Sequence, residues 1–256
     1  MPPPQIMAPL NLTTTRRLAS KLALRLRPRC FHSYEHATPT NPPFSAVEDA
    51  ILAASYRHVP EHGFSQRTLR LGAHDAGYLD ISPAALPEGV FGLIRYHLVT
   101  KRLALAERSR HLFTNHQQPL SVDTAVAELT WARLKENVAV ISRWQEALAI
   151  MAQPTWLPSS LKELALLSDE LWFLAGEKAV DSSWYTKRAS LSIIYSTTEL
   201  FMTNDKSTGF AETRQFLDRR LNDAAAAGKA ISSVSQWVGF TGNASINVLR
   251  SKGLRI

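Results

Sequence analysis

Two histidines four residues apart, His58 and His62, come nearest in this chain to the spacing of a metal site. On one uninterrupted helix that spacing would let both imidazoles reach a zinc ion, as in a His-Glu-x-x-His site. Pro60 lies between them, and the expectation is that it keeps them off a common helical face. His74-Asp75 reads as a surface pair on a short helix. The chain has no Glu-x-x-His pair for a di-iron carboxylate bundle and no glycine loop with phosphate-binding spacing. The single cysteine, Cys30, sits in an N-terminal segment that reads as cleavable, so neither disulfide nor thiolate chemistry is expected. No nucleophile, base and orienter come together. The expectation is a non-catalytic protein with no cofactor and no metal.

Charge distribution narrows the partners. The formal net charge is +7, which invites a nucleic-acid reading. Yet Arg16, Arg17, Lys21, Arg25, Arg27 and Arg29 fall in the first 33 positions, where Asp and Glu are absent. Without that segment only about one positive charge remains, too little for a general attraction to DNA. From Thr13 to Arg29, Leu18, Leu22 and Leu26 oppose Arg17, Lys21 and Arg25 on a helical wheel, the pattern of a mitochondrial transit peptide. Arg29-Cys30-Phe31 before His32-Ser33 resembles a matrix-peptidase site. No run reaches the roughly 18 apolar residues that a membrane-spanning helix needs, so membrane contact is expected to be peripheral.

The elements follow from caps and periodicity. Ser45 and Glu48 have capping-box spacing, and Val47, Ile51, Ala54 and His58 share a face up to Pro60. Ser65 is placed to cap a second helix with Leu69, Ala73 and Ala76 as its stripe, ended by Gly77. Ser82-Pro83 is placed to start a third, and three short helices outline a helix-turn-helix. Residues 80 to 91, DISPAALPEGVF, lack the basic and amide side chains that would read bases. A scaffold that does not bind DNA is the better reading.

Further helices are expected from Glu88 to about Leu112, as one long element from Ser121 to Ala152, and from a capping box at Ser160 and Glu163 that buries Leu161, Leu164, Leu171 and Trp172. Lys101, Arg102, Arg108 and Arg110 read as a solvated basic face, compatible with acidic lipid headgroups. Next comes a helix with Trp184, Leu191, Ile194, Tyr195, Thr198 and Met202 on its apolar side and Lys187, Arg188, Ser192, Thr197 and Glu199 opposite. After Gly228, Ile231, Val234, Trp237, Val238 and Phe240 face one way in a segment weakened as a helix by Gly239 and Gly242. It suits conditional membrane binding. Packing on the body or on a second subunit suits it equally.

WYTKRASLSIIYSTTELFMTNDKS followed by FAETRQFLDRRL, together with ILAASYRHVPEHGFSQRTLRLGAHDAGYLDIS nearer the N-terminus, closely resembles the mitochondrial ubiquinone-biosynthesis accessory proteins of the Coq-nine family. The resemblance spans roughly residues 45 to 225. It implies an all-α, TetR-like fold, with a helix-turn-helix-like unit over 45-87 and a lipid-binding body over 88-227; the residue patterns above place a transit peptide over 1-33 and a leader over 34-44 before it and an amphipathic, membrane-associating tail over 228-256 after it. It implies a protein peripheral to the matrix side of the inner membrane, a homodimer without nucleic acid, that binds an isoprenoid quinone precursor or other lipid. The client it implies is the di-iron demethoxy-ubiquinone hydroxylase, within the ubiquinone biosynthetic complex.

Residues are carried over on that basis. Lipid contact falls to Leu134, Val138, Ile141, Trp144, Leu148, Trp172, Trp184, Leu191, Ile194 and Tyr195, although the tryptophans alone read as ordinary core. The hydroxylase contact falls to Glu199, Met202, Asp205, Phe210, Leu217 and Arg220; the membrane contact, read from the amphipathic pattern of the tail, falls to Ile231, Val234, Trp237, Val238 and Phe240. One departure stands out: the family pattern Thr-Trp-Arg-Phe-Leu reads Thr213-Arg214-Gln215-Phe216-Leu217, without the aromatic anchor. Two competing readings are a structural subunit of the complex without lipid presentation and a TetR-like DNA-binding regulator.

Overall fold

Ser45 opens the first helix as its spacing predicts: its Oγ accepts from the Glu48 amide at 3.3 Å, and the Glu48 carboxylate accepts from the Ser45 amide at 2.9 Å. The computed structural model describes residues 42–78, 86–114, 120–177 and 183–227. Among these, every regular element is helical. The chain is all-α, and its order of helices is compatible with a TetR-like arrangement.

The first helix, α1 (Ala46–Tyr56), is followed by a single turn, α2 (Val59–His62), and by α3 (Gln66–Asp75). Ser65 caps α3 through the Thr68 amide, and the chain leaves it at Gly77, whose φ of 83° lets the Tyr78 amide turn back to the Ala73 carbonyl at 2.9 Å. Helices α1 and α3 cross very closely, and Gly72 is the reason: a Cβ there would collide with the backbone of Ser55. Pro60 occupies the first turn of α2, where its missing N–H costs nothing. It therefore does not separate His58 from His62, contrary to the sequence expectation; their rings stack at 6.4 Å. The partner of Asp75 is likewise His58 at 2.7 Å, a hydrogen bond tying the turn after α1 to the end of α3, more than it is His74.

The body differs from the sequence reading at three places. The helix expected from Glu88 to Leu112 is two, α4 (Gly89–Leu103) and α5 (Leu105–Thr114), stepping at Ala104. That step lets α4 face one apolar cluster while Leu105 enters another. The long element expected over Ser121 to Ala152 is α6 (Val122–Lys135), a 3-10 turn at Val138–Val140 and α7 (Ile141–Met151). Asn137 and two nearby β-branched valines are weak helix formers, and the Asn137 side chain turns into the core, where it is fully buried. Finally, α8 (Leu157–Leu174) begins three residues before Ser160, with Pro158 in its first turn. Ser160 is inside the helix and donates to the Trp156 carbonyl at 2.9 Å, so no capping box forms there, and Leu161 is 55% exposed instead of buried.

Helix α9 (Ser183–Met202) buries Leu191, Ile194, Tyr195, Thr198 and Met202 as its periodicity predicts. It lies on α8 through a hydroxyl contact between Ser168 and Ser192 at 2.7 Å and an ion pair between Arg188 and Asp169. Arg188, expected on the solvent side, is buried with its guanidinium 3.7 Å from the Trp184 ring centroid. A last helix, α10, covers residues 211–227. Ile51, Leu52, Leu69, Leu93, Ile94, Val140 and Trp144 form a cluster joining α1, α3, α4 and α7. Leu105, Val126, Leu129, Leu134, Leu171, Leu191, Tyr195, Met202 and Leu217 form the second, and Ile141 touches both.

Gly72→Ala should lower the unfolding free energy by about 3 kcal/mol, because the backbones of α1 and α3 must separate to admit one methyl group. Urea denaturation followed by far-UV circular dichroism measures it; an unchanged midpoint would mean that the crossing is looser than described.

Candidate functional site

The least ordinary feature of the interior is a chain of polar side chains running through it. Tyr56 on α1 donates its hydroxyl proton to His97 Nδ1 at 2.7 Å, and His97 Nε2–H on α4 donates to Asn137 Oδ1 at 2.8 Å. The same oxygen accepts from Arg133 Nη1 on α6 at 2.8 Å. Asn137 Nδ2 donates to Glu199 Oε1 on α9 at 2.7 Å, and Tyr195 O–H donates to that oxygen at 3.1 Å. His97, Arg133, Asn137, Tyr195 and Glu199 are all buried.

Each protonation state follows from this geometry. Burial, helped by the Arg133 charge, holds the His97 pKa well below its ordinary 6.5, so the ring is neutral and carries its proton on Nε2. Burial pushes the Tyr56 hydroxyl up to about 12, keeping it a donor, and raises Tyr195 further. The Glu199 carboxyl is raised by burial, against the opposing pull of Arg133, Asn137 and Tyr195. Trp144 covers His97 with ring centroids 4.6 Å apart. The imidazole is thus held between a hydroxyl, an amide and an indole, positioned to join helices and not to reach a substrate.

The residues assigned to lipid contact fall at several depths. Leu134, Trp144, Leu191 and Tyr195 are fully buried and pack within the two clusters, with Ile194 and Trp172 close behind. Ile141 and Leu148 are partly buried, Trp184 is half-buried under Arg188, and Val138 is exposed. A cleft of about 630 Å³ lies elsewhere, between α3, the start of α4 and the end of α7. The solvated basic face on α4 and α5 is internally paired: Lys101 and Arg108 both meet Glu136, and Arg102 meets Glu163 at 3.1 Å.

Among the hydroxylase-contact residues, Glu199, Met202 and Leu217 are interior. This corrects their assignment to a surface, because the face that carries Leu191 and Tyr195 continues through Glu199 and Met202. Asp205 is a structural cap. Its Oδ1 accepts from the Ser207 amide at 2.7 Å, and its Oδ2 accepts from the Thr213 amide at 2.8 Å and the Thr213 hydroxyl at 2.6 Å. These donors hold its carboxyl down at about 2. Phe210 is part-buried with a φ of 59°, an unusual conformation for an aromatic residue, held in the turn that Asp205 ties. Arg220 is exposed, with its guanidinium 5.2 Å from the Phe216 ring centroid. Phe216 in turn stacks on Phe201 at 4.7 Å. Arg214, where the family pattern has Trp, reaches Glu128 at 2.7 Å and Asp218 at 3.1 Å beside Trp131, so it joins α10 to α6. The membrane-contact residues Ile231, Val234, Trp237, Val238 and Phe240 lie outside the described residues, as do residues 1-41 with the expected presequence.

The COQ9 family model matches residues 157–228, which take in α8, α9 and α10. Over 244 residues the chain is 34% identical to the ubiquinone biosynthesis protein coq9, mitochondrial, of Schizosaccharomyces pombe, covering 95% of each chain. The chain belongs to the COQ9 family. It is also 34% identical to the Xenopus laevis protein COQ9-A over 79% of its own length and 64% of the relative's, and 33% identical to human COQ9 over 73% and 60%. It thus spans nearly all of the yeast relative but less than two thirds of the two vertebrate ones. Within this COQ9 chain, sequence reasoning missed His97, Arg133 and Asn137. A signal existed for two of the network's members: His97 follows Ile94 by three residues, and Glu199 follows Tyr195 by four, so both lie on apolar faces.

Asn137→Ala should cost about 3 kcal/mol or more, since it strips His97, Arg133 and Glu199 of a shared buried partner. Denaturant unfolding measures it. His97 makes stability depend on pH. Its stabilising contribution is complete above about 6.5 and is lost as pH falls below it, because the unfolded chain takes a proton that the folded chain refuses. His97→Gln should flatten that slope in thermal melts between pH 7 and 5. Asp205 adds a separate stabilising contribution, complete above 3.8 and lost as pH falls toward about 2.

Proposed function

We propose that this chain is a non-catalytic lipid-binding accessory protein of ubiquinone biosynthesis in the mitochondrion, peripheral to the matrix face of the inner membrane. It takes up an isoprenoid quinone precursor and presents it to the di-iron demethoxy-ubiquinone hydroxylase. The observation that carries this reading is the match along 95% of the chain to a mitochondrial ubiquinone biosynthesis protein. A polyprenyl tail is nearly insoluble, and each methylene moved out of water contributes about 0.8 kcal/mol, so an enzyme acting on the headgroup gains from a partner that lifts the molecule out of the bilayer. The buried histidine supports a non-catalytic role, being neutral and enclosed on each side.

One observation favours the second reading, a structural subunit of the biosynthetic complex. Leu134, Trp144, Leu191 and Tyr195 fill the core by packing on their neighbours. On the presentation reading, lipid reaches the body by displacing part of this packing or occupies another site.

For the hydroxylase contact, the surface of α10 offers Arg220, with Phe216 and Phe201 stacked behind it. Asp205 and its turn fix how α10 leaves α9. The apolar tail over 228-256 is the proposed membrane contact.

Mass spectrometry of lipid extracted from the purified protein should find isoprenoid or quinone precursor in stoichiometric amount. Empty protein that still co-purifies with the biosynthetic enzymes would establish the structural-subunit reading. Arg220→Glu should weaken capture of the hydroxylase at least tenfold without moving the unfolding midpoint, because Arg220 is exposed. Undiminished capture would place the contact elsewhere.

A further inference from the structure

The cleft between α3, α4 and α7 has a composition of its own. Its volume of about 630 Å³ is that of a small-molecule site. The apolar part of its wall includes Phe64, Leu69 and Ile150, with Phe91 and Trp156 stacked face to face at 4.5 Å and 9°. Among the described residues its polar part is unequal in charge. Glu88, the acid among its described lining residues, is neutralised by Arg95 at 2.6 Å. Arg70 has no acid or carbonyl partner among the described residues, and the carboxamides of Gln66 and Gln153 are equally unengaged there. Gly89 turns the chain beside Gln66 with a φ of 52°, in the left-handed region that favours glycine.

An apolar wall, one unspent positive charge and two amides select for a particular chemistry. A neutral hydrocarbon would leave the guanidinium without a partner, and a small inorganic anion would leave the aromatic wall unused. We infer that this cleft binds an amphiphile with an oxyanion head, a carboxylate or a phosphate, its head on Arg70, Gln66 and Gln153 and its apolar body along Ile150 and Trp156. A guanidinium accepts either head in bidentate fashion. The site shares no lining residue with the set assigned above to the isoprenoid and does not depend on that assignment.

The test is isothermal titration calorimetry of the full chain, freed of co-purified lipid on a hydrophobic resin, with decyl phosphate, decanoate and decanol, each below its micellar concentration. One of the anions should bind saturably and at least tenfold more tightly than decanol, and the tighter of the two identifies the head. Arg70→Gln should abolish the margin over decanol, and Gln153→Glu should weaken the anion at least tenfold. Both side chains are exposed and, among the described residues, unengaged, so unchanged thermal unfolding certifies both variants. Equal affinity for decanol and the anions, an unaffected Arg70→Gln variant, or no saturable binding would overturn the inference. Since extraction of isoprenoid from the untreated protein is a separate measurement, an isoprenoid-loaded protein that fails these titrations removes this site alone.

Discussion

Asn137 is the residue on which the interior depends. One carbonyl oxygen accepts hydrogen bonds from His97 and Arg133 Nη1, and the amide nitrogen donates to Glu199, so three buried polar groups from three helices meet at a single side chain, while Arg133 Nε and Nη2 find no partner among the described residues. In a low-dielectric interior each of them would be costly alone. An asparagine is suited to this because it carries both an acceptor and donors without a charge of its own. The price appears in the backbone, which gives up a continuous helix at the same point and tightens into a 3-10 turn.

That turn in turn organises the two apolar clusters. Before it, α6 contributes Val126, Leu129 and Leu134 to the cluster shared with α8 and α9; after it, Val140 and Trp144 belong to the cluster shared with α1, α3 and α4. Through Tyr56 and His97 on one side and Tyr195 and Glu199 on the other, the polar chain spans both. The helix-turn-helix-like segment is therefore wired to the signature helix of the COQ9 family by hydrogen bonds as well as by packing. That segment is thereby held in a fixed relation to the helices matched by the family model.

The surface repeats the same economy at lower stakes. Basic residues that form a patch in the sequence are shared out as bridges: Lys101 and Arg108 to α6, Arg102 to α8 and Arg214 from α10 to α6. These bridges are part-buried and tie helices distant in sequence to one another. Arg214 shows how a departure from the family pattern is absorbed, by two carboxylates and the Trp131 ring where an aromatic side chain would otherwise stand. Arg70 is the contrast, a cation in a cleft that receives no such bridge among the described residues.

Local chemistry was legible in the sequence wherever partners lie within about one helical turn. Ser45 with Glu48, Ser65 with Thr68, the glycine stop at Gly77 and the buried stripe of α9 are all short-range patterns set by helix geometry. The family likeness was legible for a related reason, since the match concentrates on contiguous helices. What the sequence left open depends on separations of tens of residues: Tyr56 meeting His97, Asn137 meeting Glu199, and Gly72 against Ser55. Periodicity marks a position as facing inward without saying what waits there. It therefore puts Arg188 and Glu199 on the solvent side, when tertiary packing supplies Asp169 and the Trp184 ring to the first and Asn137 to the second. Helix content and caps belong to the sequence because hydrogen bonds at i to i+3 and i+4 decide them; the polar interior and the cleft belong to the tertiary structure because only folding brings their distant halves together.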